Sequence, residues 1–176
     1  MRGNTHRGFT LIEIIISVLI IGIVASMAIT AVNANSSTQA EAAAKSLAAQ
    51  LSFARDRAVG RGQWHYVVVH GDFRTVAVNT MNLGSFVPVT EPYSSEVLEL
   101  SLRRDGTADF DGVTLSEVDI GGRFVLAFDE NGTPHSASNS GTSPVELRSE
   151  SAFRLSSSGA TFRVTVSPII GDVTIE

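Results

Sequence analysis

The sequence predicts an α+β protein, a long N-terminal α-helix packed on a C-terminal antiparallel β domain of two sheets. Three observations carry this expectation. Residues 14–32 (IIISVLIIGIVASMAITAV) hold no charged side chain, in a chain of 176 residues that is 18% charged. Apolar residues then recur at Ala40, Ala44, Leu47, Leu51, Ala54 and Ala58, spaced four and three apart as on one face of a helix. After Gly62 the period drops to two, as in half-buried strands.

The helix is expected from about Phe9 to Val59, ending at Gly60-Arg61-Gly62, because no proline interrupts residues 9–87. Its first part, residues 9–32, is apolar on every side and calls for a membrane or neighbouring helices. As a helix it is about 36 Å long at ~1.5 Å per residue, enough to cross a hydrocarbon core of about 30 Å. Its second part, 33–62, is amphipathic and calls for a domain on one side. Glu41 and Lys45 form an i,i+4 pair off the apolar stripe. Asn33-Ala34-Asn35-Ser36-Ser37 is a weak stretch between the two parts.

Residues 63–176 read as the β domain. Strands are expected at Trp64–Val69, Arg74–Val78, Phe86–Val89, Val97–Leu102, Val113–Leu115, Phe124–Phe128, Val145–Leu147, Ala152–Leu155, Thr161–Val166 and Val173–Ile175. Gly-containing turns such as Asp105-Gly106, Asn131-Gly132 and Gly171-Asp172 separate them. Residues 136–144 (SASNSGTSP) read as a flexible loop.

Composition excludes several chemistries. Thirteen Lys+Arg against 18 Asp+Glu gives −5, a poor balance for broad nucleic-acid binding. The absence of Cys excludes disulfide scaffolds, Cys-ligated zinc, iron–sulfur clusters and thiol nucleophiles.

Arg2 and Arg7 precede the apolar segment, which predicts the N-terminus inside and the remainder outside. A signal peptide cut after Ala34, a permanent anchor and a buried core helix are the generic alternatives. None of them accounts for Glu13, since an acid in an apolar span costs roughly 2.5–3.5 kcal/mol on insertion scales.

Gly8-Phe9-Thr10-Leu11-Ile12-Glu13, after a short basic leader and before the long apolar run, resembles the cleavage and methylation motif of type IV prepilins and type II secretion pseudopilins. The segment AAKSLAAQLSFARDRAVGRG (43–62), the turn Phe128-Asp129-Glu130-Asn131-Gly132 and the closing hairpin through Pro168 to Val173 resemble the GspH/FimT group of minor pilins and pseudopilins. One departure is Thr30, where many major pilins carry proline; local loosening of the helix is then left to Gly22.

The resemblance implies a leader of residues 1–8, removed between Gly8 and Phe9 by a membrane prepilin peptidase that then N-methylates Phe9. It implies an assembly subunit rather than an enzyme, inserted in the bacterial inner membrane with its β domain in the periplasm. Its partners would be other pilins or pseudopilins, the peptidase and the inner-membrane assembly platform. The carboxylate of Glu13 would pair with the Phe9 amine of a neighbouring subunit, because a paired charge in low dielectric is far less costly than an isolated one.

Other chemistry is weakly signalled. His65, His70 and His135 lack metal-ligand spacing and read as surface or turn residues. Ser158-Gly159 lies in no nucleophile elbow. No cofactor is expected. Asp105, Asp109 and Asp111 could offer oxygens to calcium, with Asp129-Glu130-Asn131 as a weaker set; ordinary turns are the alternative for both. Arg103-Arg104 and Arg123 are the candidate basic spots in the β region, and residues 167–176 contain no base, so DNA binding is not carried over from FimT-like proteins. The expected function is that of a minor pseudopilin of a type II secretion system, near the tip of a short pseudopilus. A minor pilin of a type IV pilus is the alternative, and an anchored hydrolase a third.

Overall fold

The computed structural model describes residues 10–70, 72–90, 96–102, 110 and 112–176; within these, the side chains of 26–36 are not described. Helix α1 runs from Leu11 to Arg61, and strands β1 (His65–Val69) to β11 (Val173–Ile175) follow it. By internal contacts the chain divides into two units, one reaching to Asn35 and one of Ser36–Glu176.

Both ends of α1 are set by local chemistry. Thr10 precedes the helix, and its hydroxyl oxygen accepts from the Glu13 N–H at 3.4 Å. At the other end Gly62 takes a positive φ of 58°. There the Gln63 N–H donates to the Ala58 carbonyl and the Gly62 N–H to that of Val59. These two bonds make a Schellman cap, which only a residue tolerant of left-handed φ closes without strain.

Among the described residues, one sheet has the order β3-β2-β1-β6-β7-β8, with β4 also on β2; a second has the order β11-β10-β9-β5. The remaining strands are β2 (Thr75–Asn82), β3 (Ser85–Pro88), β4 (Glu99–Ser101), β5 (Thr114–Asp119), β6 (Val125–Phe128), β7 (Pro134–Ala137), β8 (Val145–Glu146), β9 (Ser151–Ser157) and β10 (Ala160–Val166). Every pairing is antiparallel. Strands β3 and β4 share one edge of β2: β4 pairs with Thr75–Ala77 and β3 with Asn79–Asn82.

The apolar stripe of α1 forms the centre of the second unit. Ala40, Ala43, Ala44, Leu47, Leu51, Ala54 and Ala58 are all fully buried. They join one cluster with Val67, Val76, Val78, Leu126 and Phe128 of the larger sheet and with Phe153, Leu155, Val164 and Val166 of the smaller. The alanines let the helix backbone come close to the strands, and Leu47 and Leu51 fill the remaining volume.

The larger sheet is apolar on both faces, which explains the unbroken run Tyr66-Val67-Val68-Val69. Tyr66, Val125, Ala127 and Ala137 form a second cluster on the face away from the helix, with Trp64, Val68, Met81 and Phe86 packed against it. The smaller sheet has a polar outer face. Arg154 and Arg163 sit directly opposite each other, and each is compensated by an acid: Arg154–Glu117 at 3.2 Å and Arg163–Glu176 at 3.6 Å. Both pairs are exposed, so each contributes at most about 1 kcal/mol.

Several strands depart from the sequence expectation, among them β2, which runs past Val78 to Asn82. Strand β7 was not expected, and its last two residues fall where a flexible loop was predicted. Pro134, Ser136 and Ala137 are too small and polar to signal a strand, yet they are buried by pairing with β6. The rest of that loop is tied down: the Ser138 hydroxyl donates to the Thr142 carbonyl, and buried Gly141 sits over Met81 and Phe86. Strand β5 extends past Leu115 to Asp119 because a bulge between Leu115 and Glu117 lets the pairing with β9 continue. Strand β4 is shorter than Val97–Leu102; Leu98 instead exchanges bonds with both Val78 and Val89, where β3 gives way to β4.

The two sheets also meet through glycine. A Cβ on Gly171 would lie 2.6 Å from the Gly132 carbonyl oxygen, at a backbone φ of 65°. Gly84, in the β2–β3 turn, has φ 81° but open space around it. In urea unfolding, Gly171→Ala is therefore expected to lose about 1–3 kcal/mol beyond the loss caused by Gly84→Ala. Equal losses would show that backbone strain alone, and not the contact with Gly132, holds Gly171 in place.

Candidate functional site

The residues singled out for processing and assembly lie at the start of α1. Gly8 and Phe9 are outside the described residues. Glu13 is in the first helical turn, where the helix dipole favours an acid, and it is exposed. Its backbone is well anchored: the Glu13 N–H also donates to the Thr10 carbonyl at 3.1 Å, and the Ser17 hydroxyl donates to the Glu13 carbonyl at 2.7 Å. Thr10-Leu11-Ile12-Glu13 fits the S/T-x-x-E capping pattern, which is the sequence signal for this role of Thr10. The motif thus fixes where the helix begins as well as where an acid stands.

Around Glu13 the helix is a bare apolar rod. Leu11, Ile12, Ile14, Ile15, Ile16, Val18, Leu19, Ile20, Ile21, Ile23 and Val24 are all exposed. So continuous an apolar surface marks an interaction face with lipid or other helices. Among the described residues no helix is long and apolar enough to cross a membrane. The segment expected to cross, residues 9–32, extends into positions 26–32, whose side chains are not described.

The other candidates fare differently. Asp105, Asp109, Asp111 and the Arg103-Arg104 pair lie outside the described residues. Asp129 is engaged in its own turn: one carboxylate oxygen accepts from the N–H of Asn131 at 2.9 Å and of Thr133 at 2.7 Å. Among the described residues no group of three or more His, Asp or Glu could hold a metal ion. The guanidinium of Arg123 donates to the carbonyls of Ser136 and Ser143, holding β7 and the following loop. His65 corrects an expectation. It was read as a surface or turn residue, but it is fully buried on the helix-facing side of β1. Its Nδ1 contacts the Gln63 carbonyl at 3.0 Å and its Nε2 has no partner. An isolated polar residue in a strand gives no sequence signal of which face it occupies when both faces are covered.

The turn Phe128–Gly132 and the hairpin between β10 and β11, distant in sequence, meet against Arg55 of α1. Residues 3–29 match the family described as the prokaryotic N-terminal methylation motif. The fold is similar to that of the type IV minor pilin FimU of Pseudomonas aeruginosa, with a TM-score of 0.53 and 17% identity over 79% of this chain and 89% of that one. It is equally similar to the minor pseudopilin EpsH from the type 2 secretion system of Vibrio cholerae, with a TM-score of 0.55 and 14% identity over 78% of this chain and 96% of that one. The fold is type IV pilin-like. No curated protein matches the sequence of this chain. Its α+β architecture, with an N-terminal helix on antiparallel sheets, is the architecture of both minor subunits.

Buried His65 gives the pilin-like domain a pH dependence. Burial, reinforced by the nearby charges of Arg57 and Arg61, outweighs the Gln63 hydrogen bond and lowers its proton affinity below that of an ordinary histidine. The unfolded chain therefore binds the proton more readily. The contribution of neutral His65 is complete above the ordinary value of about 6.5 and is lost as pH falls below it. Urea midpoints of His65→Gln between pH 7 and 5 are expected to fall less steeply than those of the unaltered protein. Parallel slopes would show that His65 is not the group responsible.

Proposed function

We propose that this chain is a minor pseudopilin of a type II secretion system, a structural subunit that enters a short periplasmic pseudopilus through its N-terminal helix, near the tip. The observation that carries the reading is the methylation motif at residues 3–29 joined to a minor-pilin-like fold. In this reading a prepilin peptidase cleaves between Gly8 and Phe9 on the cytoplasmic side and methylates the new Phe9 amine. Small Gly8 allows the enzyme close approach to the backbone. Removal of Arg2 and Arg7 leaves 11 basic against 18 acidic side chains, so the mature subunit is at −7.

The apolar first half of α1 is held in the inner membrane until assembly, with the N-terminus cytoplasmic and residues 63–176 periplasmic. Glu13 then supplies register. In the bilayer its charge is costly; beside the Phe9 amine of a neighbouring subunit it is compensated. The pair favours extraction into the filament and fixes the axial offset between helices. The exposed position of Glu13 and the secured backbone of the first turn leave the carboxylate free to serve that contact.

A second reading, a minor pilin of a type IV pilus, is supported by the similarity to FimU. The absence of Cys favours secretion, because major type IV pilins commonly close a C-terminal loop with a disulfide. Loss of exported proteins with surface pili intact, in a strain lacking this chain, supports the first reading; loss of pili with export intact supports the second.

Mass spectrometry of the chain purified from peptidase-competent cells is expected to find N-methyl-Phe9 at the N-terminus, and the uncut leader when the peptidase is removed. A chain beginning at Asn35 would refute the reading. Glu13→Ala is expected to be cleaved and methylated normally yet recovered in sheared filaments at a small fraction of the normal amount. Undiminished recovery would remove the charge pair from the mechanism.

A further inference from the structure

Residues 129–133 close the hairpin between β6 and β7, and Asn131 stands at the apex, the middle residue of the loop. The loop carries a pattern that the assembly reading leaves unused. Asn131-Gly132-Thr133 is an N-x-S/T triplet without proline, the acceptor pattern for N-linked sugar on a surface loop of an exported chain. The same pattern recurs at Asn35-Ser36-Ser37.

Sugar transfer to an asparagine makes three demands, and the loop meets each. The carboxamide must reach solvent, and Asn131 is exposed. The carboxamide must also be free. The loop is held by other groups: the Gly132 N–H donates to the Asp129 carbonyl at 2.9 Å, and one Asp129 carboxylate oxygen accepts from the N–H groups of Asn131 and Thr133. Among the described residues the Asn131 carboxamide has no hydrogen-bond partner. Finally, the hydroxyl two residues on must be available to hold the acceptor. Thr133 engages its N–H and its carbonyl within the loop, and its hydroxyl has no partner among the described residues. The second carboxylate oxygen of Asp129 offers a basic group of an enzyme a charge-assisted contact two residues before the acceptor. The other triplet lacks these features. Asn35 lies inside α1, where residues i and i+2 do not face each other, and Asn33 stands where the first triplet has Asp129.

We propose that Asn131 is an N-glycosylation site. The donor is an oligosaccharide carried on a polyprenyl diphosphate, and an oligosaccharyltransferase of the membrane joins the two. The Asn131 amide nitrogen forms a bond to the anomeric carbon of the first sugar as the bond from that carbon to the diphosphate oxygen breaks. The amide proton passes to a base, the polyprenyl diphosphate leaves, and nothing is oxidised or reduced. The site rests on the assembly reading in one respect, that residues 63–176 are exported to the side of the membrane where such a transferase works.

The full chain is purified from its own cells in detergent, and its mass is taken intact and after trypsin, which releases residues 124–148 as one peptide. Fragmentation by electron transfer is expected to place a sugar mass on Asn131. Asn131→Gln and Thr133→Ala are each expected to lose it completely, and Thr133→Ser to keep it. Because the Thr133 hydroxyl holds nothing in the loop, Thr133→Ala is expected to keep the urea midpoint of the unaltered protein, so that loss of sugar is not loss of fold. The intact mass reads the N-terminus in the same measurement. A leaderless chain with N-methyl-Phe9 and an unmodified 124–148 peptide overturns the glycan and leaves the assembly reading standing; an uncut leader without sugar overturns both. Sugar on Ser138, Ser140 or Thr142 of the same peptide, or an Asn131 changed only to aspartate, also overturns the proposal.

Discussion

Seven residues of one helix face, from Ala40 to Ala58, have no contact with solvent, and the organisation of the second unit follows from burying them. Five are alanines, so the helix lies close to the strands on both sides. Both sheets must then present their large residues toward it: Phe128 and Leu126 from one, Phe153 and Leu155 from the other. Truncating Leu47 or Leu51 in such a setting typically costs about 2–5 kcal/mol, since strands held by ladder hydrogen bonds cannot collapse into the space. The Schellman cap at Gly62 belongs to the same constraint. It ends the helix one turn after Ala58 and directs the chain into β1, which packs against the helix it has just left.

Much of this was legible in the sequence. The four-three spacing of Ala40, Ala44, Leu47, Leu51, Ala54 and Ala58 is a strong periodic signal over five turns, and each of those residues is buried. Strands rich in Val and Phe, such as residues 65–69 and 160–166, were visible because β-branched and aromatic side chains mark strands wherever they pack. Pro134–Ala137 was not visible, because its strand character comes from hydrogen bonding to β6 and not from its own side chains. The orientation of His65 was equally hidden. On a sheet with both faces covered, alternation disappears, and the sequence no longer tells inside from outside.

The candidate functional residues were legible for a different reason. An acid within an apolar run contradicts its surroundings, and such local inconsistencies are where function is expected. Glu13 stood out by that contradiction. Thr10 did not, because a threonine beside an apolar segment contradicts nothing; only its spacing from Glu13, the S/T-x-x-E capping pattern, signals its role in beginning the helix.

The shared core also has a consequence for the order of synthesis. The helix stripe is complete at Ala58, but Phe153, Leu155, Val164 and Val166, which cover one side of it, are translated about a hundred residues later. At ~5–20 residues per second, the stripe waits on the order of 5–20 s for its cover. During that interval the nascent chain displays two apolar surfaces at once, the segment from Leu11 to Val24 and the stripe from Ala40 to Ala58. Only the second is resolved by the chain itself. Until β9 and β10 arrive both are uncovered, the first on every side of the helix and the second along one alanine-rich stripe.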